Sequence, residues 1–262
     1  MTTQELRESF LVDHLFSPNS IQLAYWEADR TVIGSAVPLD CALKLETDKE
    51  LASEFFCERR ELGVINTGGP GKITAGESAF ELAHHDALYI GRGTREISFT
   101  SDDSRQPAKF YLISYPAHTT YPTVLAKKSD ARQIKLGSQE TANRRTIYQY
   151  IHEEGVKSCQ LVMGITQLDP GNVWNTMPAH THLRRSEVYL YLDLPEDAAL
   201  FHFMGPADET RVLVMHAGQA ALSPIWSIHS GCGTKAYSFI WAMGGENQRF
   251  ADMDGIACRD LR

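Results

Sequence analysis

Three histidines and one glutamate constrain this chain most. His180-Thr181-His182 sets two imidazoles two residues apart, and Glu187 follows five residues after the second. His229 comes much later, at the end of Ser223-Pro224-Ile225-Trp226-Ser227-Ile228-His229. Side chains alternate faces along a strand, so His180 and His182 point the same way, roughly 7 Å apart. A turn then returns Glu187 on the adjacent strand. Three imidazoles and one carboxylate aimed inward from such strands make a donor set that suits zinc or a similar divalent ion. The bland alternative is two exposed histidines beside an unrelated glutamate.

The remaining sequence is patterned for strands. Leu62–Ile65 runs into Asn66-Thr67-Gly68-Gly69-Pro70-Gly71, a dense turn cluster. Further strands are expected at 79–82, 88–90, 96–99, 109–114, 160–168, 187–194, 200–204, 211–215, 220–223 and 234–243. Many short strands at close spacing point to a mainly all-β sandwich or barrel, not to alternating β-α-β units. A few short helices accompany them. Thr2-x-x-Glu5 has capping-box spacing, with Leu6 and Phe10 on one face. A second helix is expected at 49–56, where Leu51 and Phe55 are four apart. Residues 116–148 carry charge and turn residues with less periodicity and read as a connector. The last segment, 244–262, reads as a packed tail through Phe250, Met253 and Ile256.

With 262 residues the chain has room for one large domain or two of about 130. Its net charge of −8, with no Lys/Arg block, argues against nucleic acid or an anionic membrane as partner. The polar N-terminus is no signal peptide, and no apolar run reaches the roughly 20 residues that span a bilayer. A soluble, cytoplasmic protein is the expectation. Its five cysteines, Cys41, Cys57, Cys159, Cys232 and Cys258, are odd in number and widely spaced, so they read as free thiols.

The order His-x-His, four residues, Glu, then a distant His after a proline-containing turn resembles the ligand pattern of the cupin barrel. The segment 175–189, Asn-Thr-Met-Pro-Ala-His-Thr-His-Leu-Arg-Arg-Ser-Glu-Val-Tyr, goes further. It closely resembles the 4-deoxy-L-threo-5-hexosulose-uronate ketol-isomerases, also called 5-keto-4-deoxyuronate isomerases. The resemblance recurs at Arg59–Asn66, Asp86–Tyr89, Pro116–Pro122, Ser223–Ser230 and Gly245–Gln248, and so covers nearly the whole chain.

It implies a bicupin of two double-stranded β-helix barrels: residues 1–130 without metal ligands and 131–262 with the metal site. It implies one Zn²⁺ on His180, His182, Glu187 and His229, and a homohexamer. The implied activity is an intramolecular oxidoreduction of a small sugar acid in pectin degradation. It interconverts 4-deoxy-L-threo-5-hexosulose uronate and 3-deoxy-D-glycero-2,5-hexodiulosonate. A metal-dependent dioxygenase and a non-catalytic sugar-binding cupin are the alternatives.

Aldose–ketose isomerisation needs a base, an acid and a stabilised enediolate. Four protein ligands can equally close a structural zinc site. Tyr189 and Tyr191 share the face of Glu187 and are candidates to line the pocket. Glu246 is a candidate base. A carboxylated substrate calls for a guanidinium, and Arg184 and Arg185, between the ligands, come first, with Arg59 and Arg60 behind them. Trp241 is a candidate pocket wall, while His202 and His216 read as ordinary strand histidines.

Overall fold

A computed structural model describes residues 1–262. Thr2 starts the α-helix Thr3–Phe10 with a complete capping box: its hydroxyl accepts from the Glu5 amide, and the Glu5 carboxylate accepts from the Thr2 amide at 2.7 Å. The helix buries Leu6 and ends at Leu11–Val12, a strand that pairs with Ala220–Ser223. The helix expected at 49–56 is replaced by two 3-10 turns, Lys49–Leu51 and Phe56–Glu58. Ala52, at φ 46°, breaks the first turn. Leu51 and Phe55 therefore never stack on one helical face.

Contacts divide the chain into two units, each discontinuous. Against the single cut expected after residue 130, residues 1–13 pack with the second half and 150–162 with the first. The strand pairing of Leu11–Val12 explains the former. The latter follows from Glu61. This fully buried carboxylate accepts from the amides of Cys159, Gln160 and Leu161 at 2.6–2.9 Å and from the Tyr89 hydroxyl at 2.8 Å.

The unit of residues 14–131 and 150–162 has a six-stranded antiparallel sheet, in the order 124–126, 87–90, 60–66, 110–116, 31–37, 20–26. Its four-stranded partner runs 43–45, 97–101, 71–75, 78–82. Val32, Leu62, Val64, Leu88 and Leu112 from the first sheet form one core with Leu45, Ile73, Ile97 and Phe99 from the second.

The other unit repeats the plan. Its larger sheet runs 11–12, 220–223, 185–192, 238–245, 162–168, 145–151, 132–136, and its smaller one 174–175, 230–233, 200–204, 211–215. The chain is mainly β, as expected. The region 116–148 is more ordered than a connector: it holds the strands Val124–Ala126, Arg132–Leu136 and Arg145–Ile151. Arg132 and Lys135 mask the alternation of one of these strands, and Val124–Ala126 is only three residues long. Gly164 is required where it stands, because a Cβ there would lie 2.3 Å from the Trp241 ring. No helix is long and apolar enough to cross a membrane.

Candidate metal centre

Two neighbouring strands set the centre. Arg185–Leu192 pairs antiparallel with Ser238–Gly245 on one side and with Ala220–Ser223 on the other. Strand periodicity sends Glu187 and Tyr189 to one face, joined by Phe239, Trp241 and Met243 from the neighbour. His180 lies on a two-residue strand paired with Asp254–Gly255 of the tail. His229 ends the loop before Ser230–Gly233.

The structure brings together the four side chains that sequence singled out. One donor atom from each of His180, His182, Glu187 and His229 lies within 4.8 Å of all the others. The His180 Nε2 stands 3.1 Å from His182 Nε2 and 3.0 Å from His229 Nε2. The Glu187 Oε2 is 3.0 Å from His182 Nε2 and 2.9 Å from His229 Nε2. Ligand atoms about 2.0–2.2 Å from one ion stand roughly 3 Å from one another, so the spacing fits a shared cation.

Proton positions support the same fit. The Asp252 carbonyl, which only accepts, lies 2.7 Å from His182 Nδ1. Nδ1 therefore carries the proton, and Nε2 turns a lone pair toward the carboxylate. His180 is held neutral, its pKa lowered to about 2 by burial first and then by His229 and His182. Burial pushes the Glu187 carboxyl up, but the neighbouring His229 outweighs it and holds the carboxyl below the usual range. Several lone pairs converge with too few protons between them, and a divalent ion satisfies all of them.

The cluster opens into a cavity of about 350 Å³. Its walls are mostly apolar: Leu136, Ile147, Met177, Phe239, Trp241, Phe250 and Met253. Tyr189 lines it, and its hydroxyl is 3.1 Å from that of Thr176. Thr176 sits at φ 52°, an uncommon conformation for a β-branched residue, which fixes that hydroxyl beside Tyr189. Burial first, then the Glu187 charge, raise the Tyr189 pKa well above 10 and keep the phenol protonated. Trp241 is a wall residue whose indole N–H donates to Thr166.

Several candidates lie elsewhere. Arg184 is 43% exposed and bound side-on to Asp252, away from the cavity wall. Arg185 is buried, but its guanidinium donates to the carbonyls of Arg249, Phe250 and Asp252, so it holds the tail. Glu246 is exposed and absent from the wall, because the strand ends at Gly245 and turns the chain outward. Tyr191 is buried behind Tyr189, its hydroxyl 2.7 Å from His202 Nδ1. His216 lies 3.3 Å from the Ala198 carbonyl. Arg59 caps the carbonyls of Leu51 and Ala52, and Arg60 bonds Ser114 and Arg30. Sequence reasoning missed Arg145, Thr166 and Thr176. Arg145 was legible as the start of Arg-Thr-Ile-Tyr-Gln-Tyr-Ile, a β-branched and aromatic run.

Residues 10–255 match the model of the KduI/IolB family. The chain belongs to the KduI/IolB family. One relative in it, the 4-deoxy-L-threo-5-hexosulose-uronate ketol-isomerase of Lachnoclostridium phytofermentans, is 56% identical over 261 residues, spanning 100% of this chain and 95% of that protein. An IolB-like protein from Salmonella typhimurium shares the fold at a TM-score of 0.72 and 13% identity, covering 94% of this chain and 96% of that one. The oxalate decarboxylase of Lactobacillus farciminis shares it at 0.60 and 13% identity, over 94% and 89%. At such identities the two structures speak for the fold alone.

Proposed function

We propose that this member of the KduI/IolB family is a 4-deoxy-L-threo-5-hexosulose-uronate ketol-isomerase, acting on a small sugar acid from pectin. The observation that carries the reading is the buried His180, His182, Glu187 and His229 cluster, opening into an apolar cavity that also holds Tyr189. Full-length identity to relatives of that name supports it. The same reading includes zinc as the resident ion, six copies in the assembly and a cytoplasmic setting.

The four clustered side chains would hold the ion. A divalent metal supplies Lewis-acid polarisation of a carbonyl and stabilises charge developing on its oxygen. The protein supplies the rest. Tyr189, kept protonated by burial, is placed to donate a hydrogen bond or proton to a substrate oxygen. Thr176 orients that hydroxyl. Glu187 is the only carboxylate lining the cavity. Phe239, Trp241, Phe250 and Met253 keep water away, which strengthens each polar contact inside.

The test is to incubate metal-loaded protein with the uronate in D₂O and follow aldehyde loss and ketone gain. Interconversion without oxygen uptake is expected. Oxygen consumption, or binding without turnover, would overturn the reading. Deuterium on the product carbon would assign proton transfer, and its absence a hydride shift. Light scattering tests the six-copy assembly, and elemental analysis tests zinc.

A further inference from the structure

The mostly apolar cavity is lined by one guanidinium that no carboxylate pairs with. Arg145 is the only lysine or arginine along its wall. It opens the strand Arg145–Ile151, where it pairs in register with Leu136, and period-two alternation turns Ile147 into the cavity beside it. Its one protein hydrogen bond runs from Nη1 to the Asn143 carbonyl, at 2.9 Å. That leaves most of a planar, five-donor fork uncommitted. No carboxylate forms an ion pair with it. The arginines beside the ligands are already engaged: Arg184 by Asp252, and Arg185 through its Nη atoms by three tail carbonyls.

An unpaired guanidinium that is mostly removed from water is costly, and an incoming anion offsets that cost. A carboxylate is the anion whose planar pair of oxygens matches the fork. We propose that Arg145 recognises the carboxylate of the sugar acid and sets the enzyme's preference for acidic over neutral sugars. The proposal rests on the isomerase reading for the identity of that acid. Burial also lowers the Arg145 pKa, with Tyr189 and Tyr237 acting in the opposite sense, in keeping with its half-buried position. The cavity of about 350 Å³ falls in the range of small-molecule sites.

The test compares wild type, Arg145→Gln and Arg145→Lys, each with its metal content verified. Two substrates are used: the uronate, and its analogue with a hydroxymethyl group in place of the carboxylate. For Arg145→Gln we expect KM for the uronate to rise about 10- to 100-fold, the scale of a lost charge-assisted pair. kcat should change less, and kcat/KM for the neutral analogue should stay at the wild-type value. Arg145→Lys, which keeps the charge and loses the fork, should fall between. A KM for Arg145→Gln within twofold of wild type overturns the proposal. Equal damage to both substrates also overturns it, because it marks a structural role. If wild type converts no uronate, the isomerase reading fails, and recognition is then read by calorimetry with unreactive galacturonate. Binding by wild type and not by Arg145→Gln sustains the proposal; equal binding, or binding by neither, overturns it.

Discussion

His182 and Tyr189 divide the work of the site at the scale of single residues. His182 offers Nε2 to the cluster because the Asp252 carbonyl claims its Nδ1 proton. Its replacement by alanine should remove the metal and lower turnover at least 100-fold together, read by elemental analysis and steady-state kinetics. Full activity in metal-free His182→Ala would show that the ion plays no catalytic part. Tyr189→Phe keeps the ring and deletes the hydroxyl beside Thr176. Metal content and KM should hold while kcat drops about 100-fold or more, the scale of a lost general acid. An unchanged kcat would move that role to another group. The four clustered residues were readable from their order alone. Arg184 was misjudged because closeness in sequence to two ligands does not say which way a hairpin turns a side chain.

Among the elements, the segment after Gly245 closes the cavity. Phe250 and Met253 line it, Asp252 anchors His182, and residues 254–255 pair with the His180 strand. Gly245, at φ 154°, makes the turn into this strap, where a Cβ would lie 2.3 Å from the Arg184 carbonyl oxygen. Arg184→Ala removes an exposed tether, so KM should rise no more than about fivefold and proteolysis of the strap should quicken. A KM rise beyond tenfold would show that Arg184 touches substrate after all. Glu61 plays the corresponding holding part in the other unit. Glu61→Ala strands three amides, one buried and two part-buried, and a buried tyrosine hydroxyl, which should cost about 3–5 kcal/mol, measured by urea unfolding. A loss below about 1 kcal/mol would mean water replaces the carboxylate. Most strands were legible from turn clusters and alternation. Two strands in 116–148 were not, because Val124–Ala126 is only three residues long and exposed Arg132 and Lys135 interrupt the pattern of Arg132–Leu136.

Across the whole molecule, buried histidines couple folding to pH. His202, fully buried, has its pKa lowered to about 3 by burial first and then by His229. An unfolded chain binds that proton near pH 6.5. The folded state therefore refuses a proton that the unfolded state accepts. Stability is intact above about pH 6.5 and falls as pH drops toward 3, by about 1.4 kcal/mol per unit for this group. His180 acts in the same direction. Metal-stripped protein should show this fall in Tm between pH 6.5 and 4, and His202→Phe should flatten it. A profile independent of His202 would refute the assignment.

The sequence by itself determined the donor set, its order, the mainly β character and the family. The first three are written in local spacing: period two along a strand, glycine-rich turns, two histidines two apart; the family is carried by the motifs around them, such as residues 175–189. The tertiary structure decided what surrounds the donors. Arg145, Thr166, Phe239 and the 250–255 strap meet in one cavity although more than 100 residues separate the first from the last. Which guanidinium is left without a carboxylate there depends on bonds that Arg184 and Arg185 make only when the tail folds back against them. Local pattern can place a residue on a face, but only packing determines what that face encloses.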